Sequence, residues 1–278
     1  MEKIDRDRLA AMNFHYKFYP FDYFLSIQQE LGLRNIEVWA GRPHFLLDEY
    51  NWEDTNAFRK KIEQRGLHIA VFSPECTIYN YGLCTWDPIA AEHSMRYFKN
   101  GIYACSELGA KTMVLNCFGG ARDEKKECIY DRAVKRLSEL AAVAEKQNII
   151  LAIETLRPED SPVLNTLAEL KTLLTDVGSK NVKACLDLTA AGLAGETMST
   201  WFSVLGSQVH HIRFMDGRPQ GRLVWGDGLR PLEDYIEVMH RNAYQGYISL
   251  YLNDSRYFDE PEKADRRNMA ALSPFLKG

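Results

Sequence analysis

Short apolar runs alternate with longer amphipathic segments along the whole chain, and this alternation most constrains the fold. The predicted strands lie at 12–18, 35–41, 68–75, 112–120, 149–155, 182–189, 210–217 and 247–254. Helical patterns fill 20–32, 52–66, 90–109, 128–148, 166–178, 198–206, 231–242 and 260–277. Several helices end in Gly or Asn, which are helix-stop residues. Such alternation is typical of βαβ units around a parallel sheet.

Eight strand–helix repeats predict one closed α/β barrel, a single (β/α)8 TIM barrel spanning residues 1–278. No Pro-, Gly- or Ser-rich linker interrupts the series, and barrels of this kind reach 278 residues as one domain. An open doubly wound sheet is the alternative. That architecture needs a glycine-rich phosphate loop after its first strand, and FHYKFYPFD contains no glycine.

Composition excludes several classes of function. No apolar run approaches the roughly 20 residues of a membrane span, and the amino terminus lacks the apolar segment of a secretory signal. A formal net charge of −4, with basic residues scattered rather than grouped, argues against a nucleic-acid partner. The six cysteines form no C-x-x-C pair, which favours reduced thiols. We therefore expect a cytoplasmic protein.

The predicted strands end in polar residues, at the barrel face where such folds carry their active sites. These residues are Glu75, Asn116, Glu154, Asp187, Arg213, Asp216 and Asn253. Because side chains alternate along a strand, Glu154 and Asp187 should converge at the top of the barrel. Two carboxylates removed from water need a cation or a hydrogen-bond network to receive them.

Six segments resemble the sugar isomerase/epimerase superfamily of xylose isomerase-like barrels, which includes ketose 3-epimerases and endonuclease IV. They are IEVWAGRPHFL (36–46), SPECTIYNY (73–81), LAIETL (151–156), CLDLT (185–189), GDGLRPL (226–232) and GYISLYL (246–252). The likeness is closest to the fructoselysine 3-epimerase or ketose 3-epimerase type. In that family, Glu, Asp, His and Glu at the ends of strands five to eight bind one divalent metal, commonly Mn²⁺. Its two glutamates move a proton between the faces of a sugar carbon.

This sequence keeps half of that signature. Glu154 and Asp187 match the first two ligands, whereas Arg213 stands at the histidine and Tyr251 at the second glutamate. A guanidinium is permanently charged and only donates hydrogen bonds, so it cannot ligate a metal. We hypothesise that Arg213 takes the metal's position, with Glu154 and Asp187 as partners. The alternative is a weak site for Mn²⁺ completed by His211; the two replaced ligands favour no metal.

The resemblance also implies substrate contacts, each of which has a plain structural alternative. The candidate substrate-binding residues are His44, Glu75, Asp187, His211, Asp216 and Arg218. His44 could instead cap a loop at the barrel rim, and His211 could be a packed histidine without a ligand role. Glu75 could simply belong to a solvated loop.

The resemblance implies a sugar isomerase or epimerase acting on a ketose, a fructosamine or a related sugar. Glu154 would be the base, Arg213 would stabilise the enediolate oxygen, and Tyr251 or a water would supply the second proton. Two alternatives stay open: a non-catalytic sugar-binding or regulatory paralogue, and a metal-independent isomerase or lyase. The expected partner is a small sugar, and the relatives leave a homo-oligomer open.

Overall fold

Eight parallel strands form a closed barrel in the computed structural model, which describes residues 3–218 and 220–277. The strands are β1 (Leu9–Met12), β2 (Asn35–Ala40), β3 (His68–Pro74), β4 (Thr112–Asn116), β5 (Ile150–Glu154), β6 (Val182–Asp187), β7 (Val209–Arg213) and β8 (Tyr247–Leu250). Each strand pairs with its neighbours in chain order, and β8 closes the barrel by pairing with β1. The predicted (β/α)8 TIM barrel is confirmed.

Helices pack around the barrel between the strands. In the described residues they are α1 (Phe21–Glu30), α2 (Thr55–Glu63), α3 (Pro88–Glu107), α4 (Lys126–Gln147), α5 (Leu167–Val177), α6 (Leu188–Leu193), α7 (Met198–Leu205), α8 (Leu232–Arg241) and α9 (Pro261–Leu272). Local sequence fixes their ends. Thr166 and Glu169 form a reciprocal capping box at the start of α5, and Gly178 ends it with a left-handed φ of 61°. No described helix is long and apolar enough to cross a bilayer.

The first strand differs from the prediction. We expected it at 12–18, but β1 spans Leu9–Met12, and Asn13–Tyr16 form a short 3₁₀ helix. The four residues of this turn are all buried, so their aromatic content reflects tertiary packing rather than strand pairing. The Asn13 side chain accepts a hydrogen bond from the Trp39 amide and donates to the Trp39 carbonyl. The turn is thereby fixed to β2.

A layer of small side chains fills the middle of the barrel and determines what can lie above it. This small-residue layer consists of Ala10, Ala70, Val71, Val114, Ala152 and Cys185. Two residues further along β4, β5 and β6, the interior positions hold Asn116, Glu154 and Asp187. The small residues leave room for a layer of long polar side chains at the carboxyl ends of the strands.

A hairpin beyond β7 reaches over this polar layer. Its two short antiparallel strands are Asp216–Arg218 and Gln220–Leu223. The Thr189 hydroxyl at the start of α6 donates to the Gly221 carbonyl at 2.9 Å and ties the hairpin to the barrel. Away from the hairpin, two short strands from opposite ends of the described chain pair in parallel, Ile4–Asp5 with Leu276–Lys277.

Candidate active site

Arg213, at the end of β7, lies buried at the centre of the polar layer. Its Nη1 donates to Glu154 Oε2 at 2.5 Å. Its Nε and Nη2 both donate to Glu37 Oε1, at 3.1 and 2.7 Å, and Nη2 also donates to Ser73 Oγ at 3.0 Å. The guanidinium therefore joins two carboxylates, one from β2 and one from β5. Burial alone would lower the pKa of Arg213, but these carboxylates raise it well above its usual value.

Glu37 is the acid that the sequence analysis missed. It lies inside β2, is completely buried, and accepts hydrogen bonds from Ser73 Oγ at 2.6 Å as well as from Arg213. Its Oε2 is 2.9 Å from His211 Nε2. Burial favours a higher pKa, yet Arg213 and His211 outweigh it and lower the pKa of Glu37. The available signal was an acid inside the apolar strand NIEVWA, where a charge needs a buried partner.

Asp187 has a different partner from the one we expected. Arg222, on the second strand of the hairpin, donates from Nε and Nη2 to Asp187 Oδ2 at 3.1 and 2.9 Å. Asp187 Oδ1 accepts from the backbone amides of Thr189 and Ala190, which begin α6. Against the effect of burial, Arg222 and Arg213 lower the pKa of Asp187. The hypothesis that Asp187 is a hydrogen-bond partner of Arg213 is thus corrected to a pair with Arg222.

Tyr251 lies between the two guanidinium groups. The Cζ atoms of Arg213 and Arg222 are 4.9 and 4.6 Å from the centre of its ring, within the range of cation–π contacts. Phe14 packs edge-on against the same ring at 5.7 Å. Burial raises the pKa of Tyr251 although both arginines favour the phenolate, so the side chain is a neutral phenol at physiological pH.

Glu154 is held on both oxygens. Asn116 Nδ2 donates to Oε1 at 2.9 Å, opposite the bond from Arg213 to Oε2. The Cys76 thiol donates to Asn116 Oδ1 at 3.4 Å and orients the amide. Burial raises the pKa of Glu154, and Asp187 adds to this effect, whereas Arg213 opposes it. A raised pKa makes this carboxylate a stronger base than an exposed glutamate.

Two other predicted residues support the wall of the site. His44 Nδ1 accepts from Asn13 Nδ2 at 2.8 Å, and its Nε2 donates to the Tyr19 carbonyl at 2.9 Å. Burial lowers the pKa of His44, which is consistent with this neutral bonding pattern. Glu75 Oε2 accepts from Trp39 Nε1 at 2.7 Å. Both side chains are buried and have protein partners.

The remaining predicted residues lie below or beside the centre. His211 lies against Glu37 and is buried, so the structure places it beneath Arg213. Asp216 shapes its loop by accepting backbone N–H groups of Gly217, Gly226, Gly228 and Arg230. Arg218 is exposed, and its Nε donates to the Asp227 carbonyl at 2.8 Å. The structure therefore brings Arg222, not Arg218, to the centre.

The residues at the centre do not form a donor set that fits a divalent ion. Glu154 and Asp187 each already accept hydrogen bonds from an arginine. Arg213 and Tyr251 supply no metal-ligating lone pair of the kind that histidine and carboxylate offer. Within residues 3–218 and 220–277, no three His, Cys, Asp or Glu side chains come together in a metal-binding group.

Comparison with known proteins places the chain in a family. The sequence profile described as the xylose isomerase-like TIM barrel matches residues 26–275. The chain belongs to this family. A fructoselysine 3-epimerase of Shigella flexneri is 24% identical over 246 residues, covering 86% of this chain and 89% of the relative. A D-psicose 3-epimerase of Enterocloster bolteae is 26% identical over 240 residues, covering 82% and 75%.

Solved structures of two epimerases share the fold. A 3-keto-D-glucoside 4-epimerase from E. coli superposes with a TM-score of 0.81 and 16% identity, covering 96% of this chain and 99% of that one. A D-psicose 3-epimerase crystallised with D-fructose gives a TM-score of 0.79 and 19% identity, covering 96% and 97%.

Proposed function

We propose that this protein is a sugar isomerase or epimerase that removes a proton from the carbon next to a carbonyl in a ketose, a fructosamine or a related sugar. The names of the two sequence relatives support this substrate class. The environment of Glu154 is the observation that carries the proposal. Glu154 is a buried carboxylate of raised pKa at the carboxyl end of a barrel strand, next to two guanidinium groups.

The proposed chemistry begins with proton transfer from the sugar carbon to Glu154. Negative charge then develops on the neighbouring carbonyl oxygen, and a fixed positive charge stabilises it most effectively in a site that excludes water. Arg213 uses four of its hydrogen bonds on Glu37, Glu154 and Ser73. Arg222 uses two, both on Asp187. A guanidinium has five N–H groups, so Arg222 keeps about three that are not bonded to Asp187. Arg222 is therefore the better hydrogen-bond donor to the developing oxyanion of the sugar.

We further propose that the reaction needs no divalent ion at the centre. Arg213 and Arg222 together carry two positive charges, which equals the charge of one divalent ion, and each pairs with one of the two carboxylates, Glu154 and Asp187. The neutral phenol of Tyr251, or a water, returns a proton to the sugar carbon. A phenol is a weaker acid than a carboxylic acid. Tyr251 is therefore a weaker proton donor for this second transfer than a second glutamic acid would be.

Deuterium incorporation from solvent tests the proposal. D-Fructose, D-psicose and fructoselysine are incubated with the purified protein in D₂O, and the exchanged carbon is identified by NMR. We expect exchange at the carbon next to the carbonyl that persists with EDTA and disappears in Glu154→Gln. Exchange that requires added Mn²⁺, or a stoichiometric metal lost in Glu154→Ala, would contradict the metal-free mechanism.

A sugar-binding protein without catalysis is the second candidate. Two observations favour it: Glu154 is already bonded to Arg213, and a tyrosine stands where relatives of this type have their second glutamate. In that case, ketoses would raise the melting temperature in a thermal-shift assay, and no deuterium would enter the bound sugar.

A further inference from the structure

A groove of about 270 Å³ opens on the same face of the barrel as Arg213. The loops that follow β3, β4 and β5 form its walls. Two of these loops continue directly from site residues: Phe118 follows Asn116 by two positions, and Asp160 follows Glu154 by six. The groove therefore lies on the barrel face that carries the proposed catalytic centre.

Trp86 forms one wall of the groove and is 61% exposed. Keeping an indole in water forgoes the favourable free energy of burying its large apolar surface. Within the described parts of the chain, its Nε1 has no hydrogen-bond partner. A flat apolar ring with a polar edge suits the C–H face and the hydroxyl rim of a sugar ring.

The groove also contains exposed backbone. Gly119 and Gly120 line it with φ values of 96° and 94°. A Cβ atom on Gly120 would lie 2.8 Å from Ile129 Cγ2, so a side chain is excluded there. Neither glycine N–H has an acceptor among residues 3–218 and 220–277. The groove is thus lined by two residues with unpaired backbone donors.

The polar side chains of the groove favour a neutral ligand with many hydroxyl groups. The side chains of Asn80 and Thr85 make no hydrogen bond to any described residue, and each can both donate and accept. Exposed Glu159 and Arg122 carry opposite charges there, and Asp160 is paired with Arg157, so the groove favours neither an anion nor a cation. Arg122 spans two walls by donating to the Glu159 carbonyl at 2.8 Å.

We propose that this groove is a second sugar subsite, which holds one ring of a disaccharide or glycoside while its ketose ring occupies the centre at Glu154. The placement of the ketose ring rests on the proposed function; the groove itself does not. The subsite makes a two-ring sugar a better ligand than the corresponding free ketose, because the second ring adds contacts with Trp86 and with the groove's unpaired polar groups.

Calorimetric titration with D-fructose, isomaltulose and lactulose tests the subsite. Both disaccharides are fructose carrying a second sugar, on O6 and O4 respectively, and both leave the carbon next to the carbonyl free. We expect Trp86→Ala to weaken binding of at least one disaccharide about tenfold, the loss of one stacked ring, without changing the affinity for fructose. Tyr50→Ala, which removes another exposed aromatic ring outside the groove, should change neither affinity.

Three outcomes would overturn the subsite. Either no disaccharide binds better than fructose, or Trp86→Ala leaves all sugar affinities unchanged. In the third outcome, Trp86→Ala changes the oligomer mass measured by analytical ultracentrifugation instead of a sugar affinity, which would make the groove a protein–protein contact. Deuterium incorporation separates this inference from the proposed function. Disaccharide binding that depends on Trp86 without any exchange supports the subsite and contradicts the catalysis. Deuterium exchange in fructose, together with sugar affinities that Trp86→Ala leaves unchanged, supports the catalysis and contradicts the subsite.

Discussion

At the scale of single residues, the buried charges are arranged so that each acid has a cationic neighbour. Glu37 and Glu154 lie on either side of Arg213, and Asp187 pairs with Arg222. Removing one member of a buried ion pair leaves an uncompensated charge, which typically costs about 3–5 kcal/mol, whereas replacing both partners with apolar groups is often neutral. The acids and the arginines should therefore show strong energetic coupling.

Glu37→Gln should lower the free energy of unfolding by about 3–5 kcal/mol because Arg213 loses one of its two carboxylates. The double variant Glu37→Gln/Arg213→Met should lose less stability than the sum of the losses in the two single variants, because the two side chains interact directly. Urea unfolding followed by circular dichroism measures both, with the exposed Glu139→Gln as a matched control. Additive effects of the two single substitutions would show that the pair is not coupled.

The stability contributed by Glu37 should depend on pH. Its folded-state pKa is lowered below the unfolded value of about 4.3, so its contribution is complete above that pH and is lost as the pH falls toward the folded-state value. The difference in urea midpoint between the wild type and Glu37→Gln should therefore shrink between neutral pH and about pH 3. A constant difference would mean that the ionised form of Glu37 is not the stabilising one.

Arg222→Gln should reduce the rate of deuterium incorporation by about 10²–10³-fold, the usual effect of losing one donor to a developing oxyanion. Arg222→Lys keeps the charge and should restore part of the rate. Arg218→Gln is the matched control, since Arg218 is exposed and bonded to the Asp227 carbonyl. If the Arg218 and Arg222 variants lose the same activity, the assignment of Arg222 is wrong.

Sequence alone located part of this site. Glu154 and Arg213 follow from strand positions, because strand ends converge at one barrel face whatever the loops do. Tyr251 follows from the resemblance, since it stands at the position of the family's second glutamate. Glu37 does not follow from the positions of the strand ends, because this acid lies inside β2. Arg222 was missed because its position depends on the path of a hairpin, which periodicity does not specify.

At the scale of secondary structure elements, the positions of the strands were largely predictable and their limits were less so. Strands seven and eight were predicted at 210–217 and 247–254, whereas β7 and β8 end at Arg213 and Leu250. The residues beyond leave the barrel to form loops. The six-residue helix α6 was not predicted, because its start depends on the tertiary position of Asp187, which caps it.

Thr189→Val should loosen the hairpin that carries Arg222, because it removes the hydroxyl that bonds to the Gly221 carbonyl while keeping the side-chain shape. We expect faster amide hydrogen exchange in Gln220–Leu223 and little change in global stability. Thr172→Val, which removes an exposed hydroxyl on α5, is the control. Unchanged exchange in the hairpin would show that other contacts hold it.

At the scale of the whole molecule, the small-residue layer supports the polar layer above it. Ala152 and Cys185 are completely buried on neighbouring strands, and the strand register places Cys185 opposite His211. Larger side chains in this layer would push into the space that His211 and Glu37 occupy. The fold thus pairs small residues at one level of the barrel with long charged ones at the next.

Ala152→Leu should destabilise the protein by about 1–3 kcal/mol through overpacking, and it should also disturb the ion pairs above it. Ala142→Leu adds the same atoms on the exposed face of α4 and should have little effect. Thermal unfolding of the two variants measures the difference. Equal melting temperatures would show that the barrel interior has unfilled space at this level.

Arg213 has a consequence for the conditions under which the barrel keeps its charge balance. Its guanidinium is attached covalently to β7 and stays ionised across the physiological pH range. Chelators, dilution or a scarcity of transition metals in the surroundings cannot remove it. The positive charge that faces Glu154 and Glu37 is therefore part of the polypeptide from its synthesis, and every chain carries one such charge.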